Sequence, residues 1–210
     1  MDENGATAIP GLYAAGEVGG NLQGANRISG NALTETQVFA VRAVRAALKE
    51  LKMEAPDRDE LKEEVSRLKA LLSGDGGGNI SPRELKRKTQ RLLWEGAGPV
   101  REEARLTRAL EQVEELKERE LLRLRVGFRG NYSLALREAL EVETMLELGR
   151  LVLLSARERR ESRGCHLRED FEEQDEAWAQ HLVIRHGEGG PEIRREPVRT
   201  LSPEEIPAHG

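Results

Sequence analysis

The sequence predicts a mainly α fold with a small α/β part: a strand, loop and helix first, then a three-helix bundle, then an extended, partly β tail. Three observations lead there. Apolar residues recur at helical spacing through most of the chain. Charged residues make up 34% and aromatic residues 3%, which suits long charged helices packed through thin Leu, Ala and Val seams better than a β sandwich. Alternating pieces broken by Gly and Pro replace that spacing only after Cys165.

Each element has its own signal. Ala8-Ile9-Pro10-Gly11 reads as a turn feeding a short buried strand, Leu12 to Glu17. A glycine-rich loop runs to Gly30, and Asn31 is a good N-cap for a helix to about Lys52 with Val38, Val41, Val44 and Leu48 on one stripe. A second helix, about Asp59 to Ser73, aligns Leu61, Val65, Leu68 and Leu72, with Gly74 as its stop and Asp75-Gly76-Gly77-Gly78 as a flexible link.

Ser81-Pro82-Arg83-Glu84 reads as a capping box opening a helix to about Trp94. Another helix is expected from Pro99 to about Arg125, ended by Gly127 and Gly130. The last, about Ser133 to Arg160, is expected to turn Leu136, Leu140, Met145, Leu148 and Val152 inward. Short joins make these three helices a bundle. In the tail, Leu182-Val183-Ile184 and Glu192-Ile193-Arg194 read as strand pieces, and Ser202 to Gly210 as disordered. The implied segments are 1–52, 53–80, 81–164 and 165–210.

Bulk composition excludes several functions. The 33 basic and 38 acidic residues are interleaved, so no coherent positive face for nucleic acid emerges, and Lys86-Arg87-Lys88 and Arg157 to Arg163 read as solvated or subunit-facing helix surface. One cysteine, Cys165, supports neither an internal disulfide nor an iron–sulfur site, and His166 and His181 lack metal-ligand spacing, so no metal is expected. No segment approaches the roughly 18 apolar residues of a membrane span. A soluble, cytoplasmic chain is expected, reaching a membrane only through partner subunits.

The chemistry concentrates near the start. Pro10-Gly11-Leu12-Tyr13-Ala14-Ala15-Gly16-Glu17, followed by Gly24-Ala25-Asn26-Arg27-Ile28-Ser29-Gly30-Asn31-Ala32-Leu33, puts an acid at a strand end, a lone arginine in a glycine-rich loop and a helix N-terminus just behind. Unpaired N–H groups and the helix dipole suit such a junction to an anionic or electron-rich ligand. Spacing alone favours an ordinary loop ion pair between Glu17 and Arg27.

This stretch resembles the PGLYAAGE…GANRLGGNSL signature of succinate dehydrogenase and fumarate reductase flavoproteins. The resemblance implies that FAD is the cofactor, with Gly16, Glu17, Asn31, Ala32 and Leu33 at its site, and that Arg27 holds a carboxylate of a dicarboxylate substrate such as succinate or fumarate. Ala32 stands where the family has serine, a change a backbone contact survives, and Gln23 where it has histidine, which bears on substrate identity. A second string, Arg160-Glu161-Ser162-Arg163-Gly164-Cys165-His166-Leu167-Arg168-Glu169-Asp170-Phe171 with Asp175, Trp178 and His181, is similar to ESRGAHxREDFPxRDDxxWxKH of the same family, with Glu172 in place of proline. It favours the dehydrogenase and reductase branch over L-aspartate oxidases. Its Arg163, His166 and Arg168 are expected to tie the tail onto the flavin domain. Trp94 with Gly98-Pro99-Val100-Arg101 is similar to another family junction, read here as packing.

The resemblance therefore implies the C-terminal portion of a longer FAD-dependent oxidoreductase. Its upstream FAD-binding and capping domains and an iron–sulfur subunit would be the partners, and no catalytic residue is expected among these 210. The alternatives are a non-catalytic helical docking module and part of an L-aspartate oxidase-like flavoenzyme.

Overall fold

The computed structural model of the chain describes residues 1–20, 22–27, 30–50, 57–73, 78–127 and 132–198. The expected stop at Gly74, most of the glycine link, Gly130 and the expected disorder of 202–210 lie outside them. The chain divides into two compact units, Met1–Glu63 and Glu64–Gly210. Helices dominate both.

In the first unit, α1 spans Asn31–Glu50. The N-terminal residues fold onto it: Gly5, at φ 74°, has room for no side chain, since a Cβ would sit 2.7 Å from the Ala14 carbonyl and 3.2 Å from the Ala43 methyl. Tyr13 Oη donates to Glu50 Oε2 at 2.8 Å. The expected strand at Leu12 to Glu17 does not form. Its trace is one antiparallel bridge, Ala6 to Tyr13, followed by a 3-10 turn at Glu17–Gly19. A strand is held by a ladder of inter-strand bonds, and one bridge supplies too little of it. Ala43 is the core residue of this unit, and Val41 and Leu48 remain 50% and 68% exposed.

Helix α2, Arg58–Ser73, crosses from the first unit into the second. The second unit is built on α3 (Pro82–Ala97), α4 (Glu103–Glu115) and α5 (Leu134–Glu158). Helix α4 widens into a π-helical turn at Leu116–Glu120 and ends in a 3-10 turn at Leu121–Arg123. Ion pairs fix the directions: Arg83 meets Glu138 and Lys86 meets Glu141, so α3 and α5 run parallel, while Lys117 meets Glu147 and Arg150 meets Glu114, so α4 runs against α5. The bundle is up-down-up.

Its core is Leu85 and Leu92 of α3, Leu106, Leu110 and Val113 of α4, and Val142, Leu146 and Leu153 of α5, with Leu71 and Leu72 of α2 packed against it. Small residues let the helices close. A Cβ on Gly96 would overlap the Ala109 methyl, and one on Gly149 would come within 2.6 Å of Leu93 Cδ2. This corrects part of the expected inward face of α5: Leu136 packs against the core, but Leu148 and Val152 are 57% and 52% exposed, and Ala139, Val142, Leu146, Gly149, Leu153 and Ala156 are the buried residues. The helix carries two apolar stripes, and the one with the smaller side chains permits closer approach.

Caps behave unevenly. Ser133 accepts from the Leu136 N–H at 3.1 Å, as an N-cap should. Ser81 makes no side-chain cap bond, so the expected capping box is not closed. The helix expected to start at Pro99 starts at Glu103 because Val100–Arg101 forms β1, paired in parallel with β2, Leu167–Arg168. A partner 67 positions away is invisible to local signals. The tail folds into an antiparallel hairpin, β3 (Gln180–Gly187) and β4 (Gly190–Pro197), containing both expected strand pieces. No helix among the described residues is long and apolar enough to cross a membrane.

Candidate functional site

The residues singled out near the start cluster around the beginning of α1. Gly16, at φ 77°, is buried with its Cα against Thr36, where a Cβ would lie 3.1 Å from the hydroxyl oxygen, so the turn at Gly16 and Glu17 lies on the first turns of α1. Asn31, Ala32 and Leu33 are the first three helical residues. Asn31 is inside the helix rather than capping it. Its amide donates to Gln23 Oε1 at 3.2 Å, and Gln23 in turn donates to Glu35. Gln23 thus pins the glycine loop to the helix start, and Thr36 bonds the Ala32 carbonyl at 2.8 Å. Glu35 and Thr36 were not marked by the sequence, although both sit one turn inside the helix from residues that were.

Glu17 and Arg27 are exposed and form no ion pair with each other or with any described residue. Arg27 therefore offers its full fork of donors. The first turn of α1 contains no acid, and N–H groups at a helix start have no intrahelical acceptor. Arginine, glycine loop and the acid-free start of α1 supply donors and positive potential, and Glu17 is a separate acceptor. That donor set fits a flavin, whose pyrimidine ring takes negative charge on reduction, beside an anionic substrate group. Among the described residues no group of three or more His, Cys, Asp and Glu could hold a metal.

A second polar centre closes the end of α5. Glu161 is fully buried and accepts from Arg159 Nη1 (2.6 Å), Arg163 Nε (2.8 Å) and Nη2 (3.0 Å), and the Asp175 N–H (3.0 Å). Burial pushes its pKa up, but the Arg163, Asp175 and Arg159 donors together outweigh that and hold it below the usual range. Arg168, 1% exposed, spends its donors on Asp170 (2.7 Å twice), Glu103 (3.0 Å) and the carbonyls of Ala156, Arg157 and Arg159. The Arg168 bonds, with the Glu103 N–H, hold Asp170 at a pKa of about 2.

His166 bridges Arg101 Nη1 (2.6 Å) and the Arg159 carbonyl (3.1 Å). Arg163, His166 and Arg168 therefore fasten the tail to the ends of α5, α4 and β1. Trp178 is buried between the guanidinium groups of Arg159 and Arg195. Sequence reasoning passed over Glu161, Glu103 and Arg101. The signal for Glu161 was its spacing: in extended backbone, residues two apart share a face, which puts Arg159 and Arg163 on either side of it.

Comparison with known proteins matches both regions. A family model for the fumarate reductase flavoprotein C-terminus matches residues 86–207, and one for an FAD binding domain matches residues 1–33. A fumarate reductase (CoM/CoB) subunit of Methanothermobacter marburgensis is 38% identical over 88% of the chain and 33% of its own length. The fumarate reductase flavoprotein subunit of Mycobacterium tuberculosis is 34% identical over 94% of the chain and 36% of its own. An L-aspartate oxidase of Streptomyces coelicolor is 32% identical over 88% and 31%. Among solved structures, the Mycobacterium smegmatis Sdh1 complex with UQ1 superposes at a TM-score of 0.83 with 28% identity, covering 96% of this chain and 35% of that one. The chain spans about a third of the length of the curated relatives it matches.

Proposed function

Because the chain belongs to the fumarate reductase and succinate dehydrogenase flavoprotein family, whose cofactor is FAD, we propose that it is the C-terminal portion of an enzyme that interconverts succinate and fumarate or a close dicarboxylate pair. Its segments would be the close of an FAD-binding domain (1–52), a helical insert and linker (53–80), the bundle (81–164) and the tail (165–210). Bound FAD supplies the hydride acceptor and donor. The electrons exchange with an iron–sulfur subunit, through which the enzyme associates with a membrane on its cytoplasmic side.

The observation that carries this reading is the exposed guanidinium of Arg27, unpaired among the described residues and four positions before the acid-free start of α1 in sequence. Arg27 binds one substrate carboxylate with two parallel charge-assisted bonds and thereby fixes which carbon faces the flavin. The N–H groups at Asn31, Ala32 and Leu33 would supply donors toward the flavin ring, and Gly16 and Glu17 would help hold the cofactor. None of these groups delivers the proton. That role falls to the remainder of the enzyme.

The test uses the full-length flavoprotein loaded with FAD. Succinate should bleach the flavin absorbance, or fumarate restore it after chemical reduction. Arg27→Lys, which keeps the charge and loses the fork, should weaken dicarboxylate binding by about 1.5–3 kcal/mol, or roughly 10- to 150-fold. Flavin that responds to aspartate and to neither dicarboxylate would transfer the assignment to the oxidase branch. Residues 1–210 alone should perturb the FAD spectrum little, since most of the cofactor grip belongs elsewhere; tight binding by them would contradict this division of labour.

A further inference from the structure

His166 sits where three arginines converge. Arg101 reaches it from β1, Arg159 from the end of α5 and Arg168 from β2. The carboxylates of Glu103 and Asp170 bond Arg168. Among the described residues the ring has two hydrogen-bond partners, the Arg101 guanidinium and the Arg159 carbonyl.

Those partners determine its protonation. A carbonyl only accepts, so Nε2 carries the hydrogen; a guanidinium only donates, so Nδ1 must offer a lone pair. The ring is the neutral Nε2–H tautomer. Arg101 in turn donates through Nε to the Ala97 and Gly98 carbonyls at 3.3 and 3.0 Å, and its own carbonyl accepts from Glu169 N–H at 2.9 Å. One imidazole thus links the end of α3, the β1–β2 pair and the end of α5.

We propose that His166 is an acid-released latch: neutral, it clasps Arg101 to the end of α5, and protonated it lets Arg101 go and loosens the β1–β2 junction. Protonation removes the lone pair that Arg101 needs and sets N–H against N–H at 2.6 Å, with Arg159 and Arg168 adding like charge. Burial first, and then these arginines, lower the pKa of the ring below its ordinary value. The sign follows. The unfolded or released ring takes up a proton near pH 6.5 and the latched ring only below that, so the latch is fully closed above about pH 6.5 and weakens as pH falls. The relevant range is that of mild acidification.

The experiment follows the imidazole nitrogens by NMR and the amide exchange of Glu169, corrected for intrinsic rate, from about pH 7.5 to about pH 5. The wild-type chain should show the Nε2–H tautomer, a depressed midpoint, and Glu169 protection that falls up to about tenfold for each unit of depression. His166→Gln, whose carboxamide accepts and donates at similar positions without titrating, should keep Glu169 protected throughout. A midpoint at or above the ordinary value, unchanged wild-type protection, or equal loss in H166Q overturns the latch. The wild-type titration decides the matter by itself if the variant fails to fold.

Discussion

Helices α1 and α5 both carry strong apolar stripes, yet they use them in opposite ways. In α1, Val38, Val41, Val44 and Leu48 follow helical spacing and all stay exposed; in α5 one stripe is buried to 0% at Val142, Leu146 and Leu153 while a second remains at the surface. Periodicity reports that a face is apolar, and the neighbouring elements decide whether it is covered. The first unit holds the residues that look like a binding site and almost no core of its own. The second holds a complete core and a buried ionic lattice.

The sharpest way to break this contrast is at the lattice. Glu161→Gln removes the fully buried charge that Arg159 and Arg163 share, and should cost about 3–5 kcal/mol in denaturant unfolding, because it takes the counterion from two mostly covered cations and weakens four hydrogen bonds at once. A loss under about 1 kcal/mol would mean the lattice is wet and weak. Next comes Leu153→Ala, expected to cost about 2–5 kcal/mol, against Val41→Ala in α1, expected within about 0.5 kcal/mol on the same chain. Comparable values for the two would erase the distinction between the units.

Gly96→Ala tests the close approach of α3 and α4. The new methyl meets the Ala109 methyl, so about 1–3 kcal/mol of overpacking should outweigh the roughly 1 kcal/mol gained in helix propensity. A more stable variant would show that the helices can separate at no cost. Smallest is the acid limb of Asp170. Its folded pKa of about 2 lies below the ordinary 3.8, so its contribution is complete above that ordinary value and drains away as pH falls toward about 2. Asp170→Asn should lack this part of the acid unfolding curve.

Much of this was legible in the residues. Helix existence and the strand pieces of the tail came from local signals that local physics honours. The start of α4 was not, since Val100 and Arg101 answer to Leu167 and Arg168 across a long separation. Nor was the inward face of α5, where two stripes competed and helix approach decided. Burial of Glu161 and Arg168 runs against what charged residues do on average, and only their mutual pairing makes it possible. At the candidate site the start of α1 was legible to within a residue, because helical spacing and the glycine loop before it mark the junction. The clasp of Gln23 on Asn31 and Glu35 depends on loop geometry that residue type does not fix.

The parallel run of α3 and α5 has an electrostatic corollary. An up-down-up bundle places two carbonyl ends at one pole and one at the other, each worth about half an elementary charge, so the fold is polarised by its connectivity before any side chain is counted. The doubled end is where Arg101 covers Ala97 and Gly98, and Arg168 covers Ala156, Arg157 and Arg159. The tail is accordingly a counterion to the bundle's own topology, supplied by a segment that belongs to none of its helices.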